Sequence, residues 1–151
     1  MRVLVEKQAR TLWLLDGGQT LLRARVALGR EPREPKRCAG DGRTPEGVYQ
    51  VCLTKEAGKY GQSLGLTYPN AADARLAAAQ GRIDAPTLAA IEAALSRGER
   101  PPWGTPLGGE IYLHAGGAQR DWTEGCIALD AADMAVLFAN RARIEAVEIR
   151  P

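Results

Sequence analysis

The chain has 151 residues, enough for one domain with a real core and too few for several. Hydrophobic residues make up 45% and charged residues 25%, an ordinary globular balance, and a formal charge of +2 is too small to argue for a nucleic-acid partner. No apolar run reaches membrane-spanning length, and Met1 to Val5 turns polar too quickly for a signal peptide.

Arg2 to Val5 and Thr11 to Leu15 are predicted strands joined by a short polar turn, with a second turn at Asp16-Gly17-Gly18. Leu22 to Leu28 alternates apolar and polar through Val26, as a half-buried strand does. Together they form an antiparallel meander, which points to a mainly β domain. Gly29 to Arg37 is rich in Arg, Lys, Glu and Pro and reads as a solvated loop, with contact to an anionic substrate as the sharper alternative. Gly40 to Gly47 makes a tight turn into a strand predicted from Val48 to Leu53. Ser63 to Leu66 is a further short strand, stopped at Tyr68-Pro69-Asn70; Tyr60 and Tyr68 either line a cleft or anchor packing beside these turns.

Ala71 to Gln80 is helical by propensity. Asp84 is a good N-cap for a second helix from Ala85, with Leu88, Ile91 and Leu95 on one face and Gly98 as its stop. Residues 71–98 therefore read as a helical insertion packed on the sheet of a single domain spanning 1–151. Glu110 to Leu113 is a short strand that delivers His114 at its end. Asp130 can cap a helix from Ala131 to about Asn140 with Met134, Leu137 and Phe138 as its core face, and Ile144 to Ile149 closes the sheet.

The chemistry concentrates around His114, the sole histidine, which stands twelve positions before Cys126. A thiol needs a neighbouring base to become a good nucleophile at neutral pH, and imidazole is the usual one. Gly125 lets backbone N–H groups turn toward a developing oxyanion without a Cβ in the way. The bland reading is a buried cysteine and a structural histidine. Three cysteines without a Cys-x-x-Cys pair make neither a structural zinc site nor a disulfide scaffold, although Cys38 and Cys52 can pair if Cys126 stays free.

His114 followed by glycines at 116 and 117, and then Thr123-Glu124-Gly125-Cys126-Ile127, resembles the signature of the L,D-transpeptidase catalytic domain (YkuD-like). Gly40-Asp41-Gly42-Arg43-Thr44-Pro45-Glu46-Gly47-Val48-Tyr49 resembles a second tract of that family, found ahead of the catalytic motif. The resemblance implies a β-sandwich or barrel-like fold with a few short helices, and a cysteine enzyme acting on peptidoglycan stem peptides. It implies Cys126 as nucleophile, His114 as base, and an oxyanion hole from the backbone of Gly125, Cys126 and Glu124. Trp122, Gly116 and Tyr68 are the expected lining of the substrate cleft, together with Thr123, for which stabilising the turn is the alternative. A backbone carbonyl, rather than Asp121, is expected to orient His114. No metal or organic cofactor is needed, and a monomer in the periplasm or cell envelope is expected; carbapenem acylation of the thiol is implied as well.

Two positions depart from the family pattern: Glu124, where His or Arg is common, and Ala128, where Arg or Asn is common. Both bear on recognition of substrate carboxylates. The rival readings are a papain-like protease, which usually places Cys before His and needs more length, and a non-catalytic peptidoglycan-binding module, which has no need of the Cys126 and His114 pair.

Overall fold

The structure, a computed structural model, describes residues 1–151. Strands β1 (Arg2–Glu6), β2 (Thr11–Asp16) and β3 (Gln19–Arg25) form the expected antiparallel meander, with Val3, Val5, Leu12 and Leu14 turned inward. Beyond Arg25 the chain leaves this sheet: Ala27 pairs with Ala128 and Gly29 with Thr123, so the end of the predicted third strand is a tie to the second sheet. The predicted Val48–Leu53 strand is broken at Gln50 into β4 (Gly47–Tyr49) and β5 (Val51–Gly58), which belong to different sheets. The break has a local cause, because the Gln50 N–H donates to the Thr67 hydroxyl at 2.9 Å instead of to a ladder neighbour.

The first sheet runs β3-β2-β1-β9-β4, where β9 is Ala146–Arg150. β9 is parallel to β1 and antiparallel to β4, so the final strand is inserted inside the sheet rather than added at its edge. The second sheet runs β5-β6-β7-β8, with β6 at Gly61–Leu66, β7 at Tyr112–His114 and β8 at Ile127–Ala128. Only β7 and β8 are parallel within it. One core of 22 buried residues joins the two sheets, and α3 (Ala131–Ala139) adds Met134, Leu137 and Phe138 to it. Each such aliphatic side chain contributes roughly 1.5–3 kcal/mol by leaving water. The architecture is mainly β, in two layers, with short helices outside.

Helix α1 (Ala71–Ala79) starts at Asn70, which forms a capping box with Asp73, and α2 (Ala85–Ser96) starts at the predicted cap Asp84, which accepts from the Thr87 N–H. They are not packed on the sheet as expected. The small alanine faces pack against each other, with Ala74, Ala77, Ile83, Ile91 and Leu107 forming a separate cluster. Polar bonds tie the pair to β4, from the Tyr49 hydroxyl to Asp73 (2.9 Å) and from the Asn70 amide to the Val48 carbonyl (3.1 Å). Asp130 precedes α3, but its carboxylate makes no cap bond; it accepts from the Ala118 N–H at 3.2 Å and so ties the glycine loop after His114 to the start of α3.

The basic run before Asp41 is more folded than a solvated loop. Lys36 is buried against Asp41, which also accepts from the N–H groups of Arg37, Cys38 and Arg43. Lys7, 2% exposed, donates to the carbonyls of Glu34 and Thr44 and to the Glu46 carboxylate. These two lysines hold the Gly40–Gly47 turn beneath the site. All three cysteines are free, so the Cys38–Cys52 pairing is not present.

Candidate active site

Strand alternation builds the site. On β7, Leu113 points into the core and pairs with Ile127, leaving Tyr112 and His114 on the opposite face. Cys126 stands one residue before Ile127, so it shares that outer face, and the Tyr112 N–H donates to its Sγ at 3.4 Å. Lys55, Ser63 and His114 are in register across β5, β6 and β7 and form one row on the same face. His114 and Cys126 line one cleft of about 300 Å³ with Lys55, Tyr60, Ser63, Glu110 and Tyr112. A larger hollow of about 610 Å³ lies beside Val51, Cys52 and Arg141 but holds no histidine.

The imidazole is held on three sides. Its Nδ1 bonds to the Ala115 carbonyl, which makes Nδ1 the protonated nitrogen and leaves Nε2 as the acceptor. Tyr60 stacks on the ring with centroids 4.7 Å apart, and Trp122 meets it edge-on at 5.6 Å. A Cβ on Gly116 would lie 2.9 Å from the Trp122 ring, so the glycine after the histidine makes room for this contact. Burial lowers the His114 pKa from its ordinary 6.5, only partly offset by the Ala115 bond. Burial likewise raises the Cys126 thiol above its ordinary 9.0, despite the Tyr112 N–H. Both shifts favour a neutral thiol beside a neutral imidazole over a preformed ion pair.

The turn into Cys126 is tightly tied. The Thr123 hydroxyl donates to the Cys126 carbonyl at 2.7 Å and accepts from the Gly125 N–H at 3.1 Å. Gly125 has φ +136, and a Cβ there would lie 2.6 Å from the Arg43 carbonyl oxygen. The Gly40–Gly47 tract is thus the floor under the nucleophile, and the Thr44 hydroxyl holds it to the Gly29 N–H at 3.0 Å.

Several expected site residues stand differently. The Gly125 N–H is committed to Thr123, which removes it from the oxyanion donors, whereas the N–H groups of Glu124 and Cys126 have no acceptor in the chain. The Glu124 side chain points to solvent and pairs with exposed Arg30, a contact of little energetic weight. Thr123 is buried, so it serves the turn rather than the cleft wall. Tyr68 is 1% exposed and donates to the Leu107 carbonyl at 2.9 Å; it is a core residue, not a lining one. Trp122 and Gly116 border an adjoining hollow with Tyr60. Asp121 bonds to Arg10 and the Leu28 N–H, which leaves the orientation of His114 to the Ala115 carbonyl. The lining residues Lys55, Lys59, Ser63, Glu110 and Tyr112 escaped the sequence reading, although strand register places Lys55 and Ser63 once the pairing is known.

The fold thus has two β layers, with the Cys126 thiol and the His114 imidazole lining one cleft. Residues 1–149 match the profile of the L,D-transpeptidase catalytic domain, YkuD, and the chain belongs to that family. The helical cell shape determining protein Pgp2 from Campylobacter jejuni is similar in structure, with a TM-score of 0.65 and 19% identity over 98% of this chain and 46% of that one. The L,D-transpeptidase from Mycobacterium smegmatis has a TM-score of 0.54 at 11% identity, covering 99% of this chain and 58% of that one. The LD transpeptidase LdtMt1, solved in complex with imipenem, has a TM-score of 0.53 at 12% identity over 98% and 57% of the two chains. This chain therefore spans about half the length of these structures. No curated protein matches its sequence.

Proposed function

We propose that residues 1–151 act as one catalytic unit, an L,D-transpeptidase that attacks tetrapeptide stems of peptidoglycan through Cys126. The observation that carries this reading is Cys126 on the cleft face that also holds His114, whose Nε2 is free to accept a proton. The Cys126 sulfur bonds to the amide carbonyl carbon as its proton passes to His114. The N–H groups of Cys126 and Glu124 receive the oxyanion, each such donor being worth roughly a hundredfold or more in rate. Collapse breaks the C–N bond, the departing amine takes the proton from His114, and a thioester remains. An incoming amine on a second stem then gives up a proton to His114 as it bonds to the thioester carbon, the C–S bond breaks and the Cys126 sulfur takes the proton back from His114, leaving a new amide, a stem-to-stem cross-link; water in its place gives hydrolysis.

A cell-wall substrate supports the periplasm or cell envelope as the site of action. The description of Pgp2 as a cell shape determinant supports a role in shaping the wall, and the imipenem complex of LdtMt1 supports acylation of Cys126 by a carbapenem. The test is mass spectrometry of purified tetrapeptide muropeptides incubated with this protein and with Cys126→Ala. Loss of the terminal residue, or new dimers, with the native protein alone is expected. No change with either protein rejects the proposal.

A further inference from the structure

A hollow of about 520 Å³ on the first sheet is lined by three arginines, Arg10, Arg23 and Arg25, with Thr11 and Ala24 between them, and it shares no lining residue with the cleft of Cys126. Alternation along β3 sets Arg23 and Arg25 on one face, opposite Trp13 and Thr11 in register, while Ala24 turns to the core. Arg10 joins them from the turn between β1 and β2.

Each guanidinium is held by a contact of its own. Arg23 lies 5.1 Å from the centre of the Trp13 ring. Arg25 donates to the Gln119 carbonyl at 3.3 Å. Arg10 forks onto the Asp121 carboxylate, with its closest contact at 2.8 Å, and donates to the Lys7 carbonyl. Two carboxylates belong to this neighbourhood, and both are engaged. Asp121 also accepts from the Leu28 N–H, and Glu6, opposite Thr11 in the ladder, accepts from the Trp13 indole N–H at 3.1 Å. Arg23 and Arg25 have no ion pair.

Arginines on an edge strand discourage pairing with another chain, and β3 is an edge. That role requires neither a third arginine from a separate turn nor guanidiniums fixed in place. Holding long side chains beforehand lowers the entropy lost when a ligand is taken up. Arg10 is also kept at φ +49, where a residue with a Cβ is disfavoured. A guanidinium stays charged at any working pH and presents a planar fork that matches phosphate oxygens. Three forks around one hollow exceed what a lone carboxylate can accept, whereas a phosphate offers more oxygens.

We propose that Arg10, Arg23 and Arg25 form a binding site for the phosphate group of a phosphate ester, separate from the cysteine cleft. A soluble ester and a phospholipid headgroup present this same chemistry, and the experiment separates them. The full chain is titrated by calorimetry with glycerol 3-phosphate and with acetate at constant ionic strength, and is sedimented with vesicles of phosphatidylglycerol or of phosphatidylcholine. A soluble source gives glycerol 3-phosphate binding at least about tenfold tighter than acetate. A lipid source gives sedimentation with phosphatidylglycerol vesicles alone. In either case Arg23→Gln combined with Arg25→Gln should weaken binding by about tenfold or more, the scale of lost charged hydrogen bonds. Both side chains are exposed, so the melting temperature should hold. Arg23→Lys combined with Arg25→Lys keeps charge and stems but not the forks, and should weaken binding as well. Cys126→Ala should bind as the native protein does, because no turnover is involved. The proposal is overturned if neither phosphate source binds, if acetate binds equally well, or if either double variant keeps the native affinity.

Discussion

At the residue scale the proposed chemistry starts from a neutral pair. Burial holds the His114 pKa below 6.5, so the imidazole is already a base at neutral pH, while burial holds the thiol protonated to above 9.0. Thioester formation should therefore rise with pH through a midpoint below 6.5 and stay level across neutrality. In His114→Ala the rate at neutral pH should fall by about a hundredfold or more, and alkylation of Cys126 should require pH above 9.0. Rapid alkylation of that variant at pH 6 to 7, about the ordinary range for an activated thiolate, would contradict the neutral pair. Tyr60 covers one face of the imidazole, and burial is the main cause of the lowered pKa. Tyr60→Ala should thus move the acidic limb of the rate profile up toward 6.5, and an unmoved limb would show that the ring is shielded by other groups.

At the scale of elements, the support of the site is the turn centred on Asp41. Burial raises its carboxyl, but the N–H groups of Arg37, Cys38 and Arg43 and the Lys36 ammonium outweigh this, and its pKa lies below 3.8. A depressed carboxyl stabilises the fold above its unfolded value and loses that contribution as pH falls through the folded one. Urea unfolding should show Asp41→Asn less stable by about 1–3 kcal/mol at neutral pH, with the gap closing in acid below 3.8. Much of this level was legible in the sequence. The cap at Asp84, alternation in β1 and β2, and the helical face of Met134, Leu137 and Phe138 all follow from local rules, whereas the Asp130 carboxylate caps nothing. The turn from Thr123 to Cys126 was legible as a motif, because a motif compresses a turn's geometry into adjacent residues; the bond that takes the Gly125 N–H out of the oxyanion donors was not. Lys55 and Glu110 were not, since their place depends on strand pairing and on one left-handed residue, neither of which has a local signature. Tyr68 misled for a related reason: its neighbourhood reads as a turn, yet its ring is buried in the core and its hydroxyl donates to the Leu107 carbonyl.

At the scale of the molecule, one core serves both sheets, so site and scaffold are not energetically separate. Leu137 on α3 is fully buried in that core. Leu137→Ala should destabilise the protein by roughly 2–5 kcal/mol, read as a lower urea midpoint, with a single transition retained. Two resolved transitions would show that the sheets unfold independently.

The place of β9 between β1 and β4 has a consequence for how the protein is made. The first three strands precede β9 in synthesis and can fold back on one another at once. The open side of β1 must nevertheless wait for residues 146–150, far later in the chain, and β4 has no strand to pair with in this sheet until they arrive. Throughout that interval a row of unpaired backbone donors and acceptors, flanked by Val3 and Val5, is exposed to neighbouring nascent chains. A sheet ordered this way cannot be finished in instalments, and its first three strands keep an open edge until β9 slips in between β1 and β4.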